Sequence, residues 1–357
     1  MRSKCFFILL LPFILTLTSC YGGENTIEEI APSILYYYEK GENEKYKVTT
    51  MVPPVRKEKR VVLTTEETLL KDIKTKLNAQ YFREIKDGQL RIVIINENLA
   101  KEQGIKDIVT GLYMDTAISD RIYLGIVNGD LKRLLNSNNS ADYLIYRQFK
   151  HNQTKGELQV VDLHMYLKAA NSRFGDPYVP LFSMVENELH YTGIGLMKDY
   201  KMIHELTIEE SRMFDLLKSQ VKYHDVLSLE TLQVNLGLVN SDIDIKMNAE
   251  EKRIKISMRL NGIINEYQGD KDLTNPIEQK ELRNNIKNEI QDKMAKLLET
   301  FQSKKVDPLY LGLFSKKFFS QDYKDDEWRE EWPKYDINMD LDLKIKDYGT
   351  YQSKGEV

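Results

Sequence analysis

The residues able to do chemistry are few, and the one with a defined setting is a cysteine. Leu17-Thr18-Ser19-Cys20 places a thiol directly after a leucine and two small residues. In front of it stand Arg2 and Lys4, then an apolar run from Cys5 to Leu17 broken only by Pro12 and Thr16. A run of about thirteen residues is too short to span a bilayer, which takes roughly twenty, and has the size of a signal-peptide core. The order Leu17-Thr18-Ser19-Cys20 resembles the bacterial lipobox, in which the cysteine thiol receives diacylglycerol before cleavage ahead of it frees an amine for a further acyl chain. Of the two cysteines in the chain, Cys5 falls within the signal, so the mature protein keeps only Cys20. That excludes disulfides, a thiol nucleophile and cysteine-ligated metal.

Other chemistry finds no footing. The five histidines, His151, His164, His190, His204 and His224, include no pair at i, i+4, and there is no H-E-x-x-H. There is no G-x-S-x-G elbow and no phosphate-cradling G-x-x-x-x-G-K-[ST] loop. Gly193-Ile194-Gly195 lacks the third glycine of a dinucleotide loop, and Asp325-Asp326-Glu327 is an ordinary acidic surface run. A non-enzymatic protein with no catalytic, metal or cofactor site is expected, its one covalent group being diacylglycerol plus an N-acyl chain on Cys20. Net charge is −4, falling to −6 once Arg2 and Lys4 leave with the signal. Nothing in that balance favours nucleic acid. The tetrapeptide resembles the bacterial lipobox, which places the protein on the extracytoplasmic face of a membrane.

The elements that must carry these residues form an α+β, multidomain pattern of mixed sheets with helices packed on them. After the signal, 1–19, an N-terminal α+β region covers 20–200, with two subdomains meeting near 136–142. Strands are expected at Ile34–Tyr38 and Tyr46–Met51 around Gly41-Glu42-Asn43. A helix is expected from Thr64, with Glu67 in capping-box position, and charged 56–60 reads as a loop. A strand at Leu90–Ile95 leads into helix over Leu99–Met114, broken near Gly104. Ile122–Val127 reads as a strand, followed by a short helix at Leu131–Leu135. Tyr143–Leu167 is assigned helix, and Tyr178–Met202 strands with a hairpin at Lys198-Asp199.

The second half, 201–357, alternates with period two at Gln233–Leu238, Ile243–Met247, Ile254–Leu260 and Ile337–Ile345. This implies a C-terminal antiparallel sheet covered by one long helix. Asn275-Pro276, with Glu278 following, opens that helix, whose stripe is Leu282, Ile286, Ile290, Met294, Leu297 and Phe301. Trp328 and Trp332, four apart, share a helical face.

Several segments taken in order resemble the Ger(x)C family, lipoprotein C subunits of spore nutrient germinant receptors. Ile27-Glu28-Glu29-Ile30 follows the lipobox cysteine in the family manner, and Lys45-Tyr46-Lys47-Val48-Thr49 resembles its first hairpin. Gln89 to Ala100 is similar to its strand-into-helix segment. Asp307-Pro308 with Gly312, then Trp328 and Trp332-Pro333, resemble its aspartate-proline, glycine and tryptophan spacing, and a charged alternating strand ends near Gly349. One departure is Tyr21-Gly22 after the cysteine, where the family usually has Trp-Asp. The resemblance implies a three-domain α+β lipoprotein at the spore inner membrane. It would work in nutrient sensing with two membrane-embedded partners, the A and B receptor subunits, and it brings no catalytic residues. The alternative is a free-standing solute-binding lipoprotein of a transporter. A surface hydrolase would need a cleft with paired carboxylates.

Overall fold

A computed structural model of the chain describes residues 27–54, 60–138, 140–155, 159–218, 227–315 and 327–348. The first half opens with β1 (Ile30–Pro32), β2 (Leu35–Lys40), β3 (Tyr46–Val52) and β4 (Val61–Glu67), followed by helix α1 (Leu70–Gln80). Then come β5 (Glu84–Lys86), β6 (Ile92–Asn96), α2 (Glu97–Glu102), α3 (Lys106–Met114), β7 (Tyr123–Asn128), α4 (Leu131–Ser137) and α5 (Ala141–Lys155). It ends with β8 (Val161–Asp162), α6 (Leu163–Ala170), β9 (Tyr178–Val185), β10 (Glu188–Lys198) and β11 (Lys201–Leu206).

Eight of these strands form one sheet in the order β11-β10-β9-β7-β6-β2-β3-β4, with β8 added beside β7. The central pairs β2–β6, β6–β7 and β7–β9 are parallel, and both outer parts are antiparallel. Central strands carry apolar side chains on both faces, as in β6, where Ile92 to Ile95 are all buried. One face packs on α1, α3 and α6 through residues such as Leu77, Ile108 and Tyr166. The other packs on α4 and α5 through Leu131, Leu135 and Phe149.

Three expectations change here. The capping box at Thr64 and Glu67 does not form: Thr64 lies in β4, with its Oγ1 2.9 Å from that of Thr49 on β3. The run Val61-Val62-Leu63-Thr64-Thr65 is β-branched at every position but Leu63 and finds an open partner strand, which outweighs a local capping signal. The helix assigned to Tyr143–Leu167 is two helices, α5 and α6, with β8 between them. The division expected after residue 200 falls within the β10–β11 hairpin, since Lys201 pairs with Lys198. The 56–59 part of the charged loop lies outside the described residues.

The second half continues with α7 (Ile208–Leu216), β12 (Leu227–Leu229), β13 (Val234–Asn248), β14 (Arg253–Tyr267), α8 (Pro276–Lys304), α9 (Glu327–Glu331) and β15 (Asp336–Ile345). The runs at 233–238 and 243–247 belong to one strand, β13, irregular between Gly237 and Asn240. The sheet order is β12-β13-β14-β15, but β14 and β15 run parallel, so this sheet is mixed at its last pair. The cause is the connection. The 29-residue α8 spans about 43 Å and carries the chain from the end of β14 back to the end of the sheet where β14 began, so the last strand enters in the direction of β14. Asn275 caps α8, its side-chain oxygen accepting from the Ile277 N–H at 2.9 Å, with Pro276 in the first turn. Leu282, Ile286, Ile290, Met294, Leu297 and Phe301 are all buried against the sheet, as their spacing requires.

Candidate functional site

Cys20 and the rest of the segment that resembles a lipobox lie outside the described residues. The described chain begins seven positions after it, at Ile27, and is fixed at once. β1 pairs in parallel with β5, and the Arg83 guanidinium, itself buried, donates to the carbonyls of Ile30 (3.3 Å) and Pro53 (2.9 Å). His224 and Asp325-Asp326 also lie outside the description. Of the remaining histidines, His164 and His190 face acidic neighbours: Asp120 at 3.2 Å and Glu188 at 3.5 Å. Burial, with Lys304 nearby, holds His204 below its ordinary range. Among the described residues no three His, Cys, Asp or Glu side chains are grouped to hold a metal ion.

What the fold does bring together is a buried polar junction between its two halves. Two Asp-Pro dipeptides, Asp176-Pro177 and Asp307-Pro308, meet back to back. The Asp176 N–H donates to the Asp307 carbonyl at 3.1 Å, and the Asp307 N–H donates to Asp176 Oδ2 at 2.8 Å. The Asp307 carboxylate accepts three further hydrogen bonds: from the Leu311 N–H (3.0 Å), the Gly312 N–H (3.0 Å) and the Trp328 indole N–H (2.8 Å). Arg329 Nη2 pairs with Asp176 Oδ1 at 2.8 Å, and its Nη1 reaches Asp199 at 3.3 Å. Trp328 and Trp332 stack with centroids 6.4 Å apart, both fully buried, as the four-residue spacing implies. Gly312 is required where it stands, because a Cβ there would lie 2.6 Å from Phe174 and 2.7 Å from the Trp328 ring.

This geometry reads as a lock, not a reaction centre. Three donors hold the Asp307 carboxylate, and the Asp307 N–H with the Arg329 ion pair holds that of Asp176. Around them the apolar core runs without a break from Phe174, Ile194 and Leu206 into Leu297, Phe301 and Trp332. A buried charge stands only where it is paired and hydrogen-bonded, and here it is.

The junction residues Asp307, Gly312, Trp328 and Trp332 are those whose spacing carries the family resemblance, and the comparison with family models agrees. The model described as the spore germination protein N-terminal domain matches residues 23–184, and that described as spore germination B3/GerAC-like, C-terminal, matches 192–349. The chain belongs to the Ger(x)C family of spore germination proteins. A curated relative, the spore germination protein GerQC of Bacillus cereus, is 26% identical over 273 residues, covering 73% of this chain and 75% of its own. The crystal structure of the GerBC protein matches with TM-score 0.55 at 13% identity, over 87% of this chain and 96% of that one, which shows a shared fold.

Within this Ger(x)C chain, the sequence marked Asp307 but not its partners Asp176 and Arg329. The available signal was the second Asp-Pro dipeptide, 131 positions earlier. Burial pushes the Asp307 carboxyl up to about 6, against the pull of the Gly312 and Leu311 N–H groups and Trp328, and burial raises Asp176 too. The folded protein therefore holds a proton on Asp307 that the unfolded chain, titrating near 3.9, has lost. Stability should fall as pH rises from about 4 to about 6, by about 3 kcal/mol for this group, and then level off. Urea unfolding across that range checks it, and Asp307→Asn should flatten the slope.

Proposed function

We propose that this chain is the C subunit of a spore nutrient germinant receptor, required for germination in response to nutrients and acting without catalysing a reaction. Diacylglyceryl and N-acyl lipid on Cys20 hold it to the extracytoplasmic face of the spore inner membrane, beside the membrane-embedded A and B subunits. The observation that carries this reading is the family match across both halves in order, 23–184 and 192–349. The relative GerQC, by its name a spore germination protein, supports it.

The physics of lipid attachment supports the anchored reading. No helix among the described residues is long and apolar enough to cross a membrane. One acyl chain binds a bilayer only marginally, whereas two or more hold stably. Six residues separate Cys20 from Ile27, so over seven Cα steps at full extension the lipid and the folded body are within about 25 Å of each other. A transporter's solute-binding lipoprotein would show two similar lobes, and the nine-stranded and four-stranded sheets here are unlike.

The test is Cys20→Ala in the spore-forming host. Radiolabelled fatty acid should no longer enter the protein, the chain should leave the membrane fraction, and nutrient-triggered germination should drop towards background. Affinity capture of the tagged wild-type chain from spore membranes should bring down two multi-span proteins. Full germination and full membrane retention in the variant would overturn the reading.

A further inference from the structure

Beside the junction the two halves line a half-open cavity of about 300 Å³. It is bounded by both prolines of the Asp-Pro pairs, Pro177 and Pro308. Its other walls are mainly apolar, with Val161 and Met165 from the first half and Ile243, Ile245 and Leu309 from the second. Neither half lines it alone. Its size is at the lower end of small-molecule sites, about 300–1,000 Å³, so an occupant must be small.

Its polar equipment is limited and specific. Lys218, just after α7, lies over the faces of Tyr178 (4.3 Å) and Phe214 (4.4 Å). Its ammonium donates to Gln159 Oε1 at 2.6 Å and to the Tyr178 hydroxyl, which in turn donates to Gln159 Oε1 at 3.0 Å. An ammonium has three N–H donors. Among the described residues the third has only Asp215 Oδ1, at 3.9 Å, beyond hydrogen-bond reach. The side chain is 27% accessible, so it is enclosed but reachable from the cavity. Burial pushes this ammonium down to about 8 and the Asp215 carboxyl up to about 6, the signature of a pair that does not fully compensate itself. The second polar feature is Tyr166, fully buried in the cavity wall, whose hydroxyl has no hydrogen-bond partner among the described residues. A buried hydroxyl left unpaired is costly, and such groups are rare in native folds.

We propose that this cavity is a binding site for a small carboxylate with an apolar body, the carboxylate accepting from Lys218 and the body lying against Ile243, Ile245 and Leu309. An anion is chosen over a neutral ligand because the open donor is an ammonium. A small apolar body is chosen because Val161, Met165, Ile243, Ile245 and Leu309 make the walls away from Lys218 and Tyr166 apolar. Since the walls come from both halves, an occupant stabilises their present arrangement and ties ligand binding to the junction.

The test uses the full chain in detergent, titrated by calorimetry with isovalerate and phenylacetate, and with isovaleramide as the uncharged isostere. At least one carboxylate should bind saturably, and isovaleramide at least about tenfold more weakly, as loss of a charge-assisted hydrogen bond predicts. Lys218→Met should weaken carboxylate binding by a similar factor. Lys218 sits among packed aromatics, so Ile243→Trp provides a second variant on a half-buried strand position. It fills the cavity without touching the polar groups and should abolish binding with the melting temperature kept. Three results would each overturn the proposal: no saturable binding of either carboxylate, equal binding of the amide, or undiminished binding in Ile243→Trp.

Discussion

Replacing Trp328 by alanine should lower the unfolding free energy by about 3–5 kcal/mol, the range for deleting a large buried aromatic. The ring is fully buried, stacked on Trp332 and edge-on to Tyr335 at 5.5 Å, so its loss leaves a cavity that these neighbours cannot close. The indole N–H is a separate contribution, because without it the Asp307 carboxylate loses one of three donors inside the core. Trp328→Phe isolates that part: it keeps most of the ring contact and should cost about 1–3 kcal/mol. Equilibrium denaturation of both variants, read by a probe in each half, checks the size and the location of the effect. The two probes should lose their coincidence if the junction is what couples the halves. A Phe variant as stable as the parent would show that the indole hydrogen bond does not hold the lock.

Gly193→Ala should be harsher than its single methyl group suggests. Gly193 has φ of +138°, a region side chains avoid, and a Cβ there would lie 1.9 Å from the carbonyl oxygen of Leu206. That oxygen is backbone at the end of β11, and the pairing of β9 with β10 is already irregular between Tyr191 and Gly193, so neither strand can retreat without losing pairs. The expected loss exceeds about 4 kcal/mol, with the chain recovered largely insoluble. Gly88→Ala is the control: its Cβ would meet only the Ala117 carbonyl at 3.8 Å, and its cost should stay within about 0.5 kcal/mol. Parallel expression and thermal melting of the two variants separate backbone conformation from the mere addition of a methyl.

These cases also show which parts of the molecule were written locally. The α8 stripe, the Asn275 cap and the shared face of Trp328 and Trp332 were legible because a helix repeats its geometry every few residues and its partner face needs no naming. The alternating strands of the second half were legible for the same reason. Thr64 misled because its capping pattern is local, whereas the competing strand β3 lies elsewhere in the chain. The direction of β15 was hidden because alternation is identical in parallel and antiparallel strands. The junction was half visible: Asp307, Gly312, the tryptophans and Arg329 beside Trp328 fall within a short stretch, but Asp176, the partner of Arg329 and Asp307, enters through contacts that only the fold makes close. Lys218 gave no signal, since only Phe214, four residues earlier, is local to it, while Gln159 and Tyr178 come from distant segments.

The parallel pairing of β15 with β14 has a consequence for the order in which the molecule can assemble. A chain emerging from its N-terminus presents β12, β13 and β14 together, and hairpin contacts among them close short loops. The fourth strand follows only after α8 and the tryptophan segment, and its register, from Arg253 opposite Asp336 to Gly262 opposite Ile345, joins residues more than eighty positions apart. Until it docks, the outer edge of β14 is exposed, with the apolar side chains Ile254, Ile256, Met258 and Leu260 short of their neighbours Leu341 and Leu343. Such late, long-range closure is slow and leaves an edge open to pairing with another chain. The second half is therefore expected to mature last, with that edge open to mispairing until the final strand arrives.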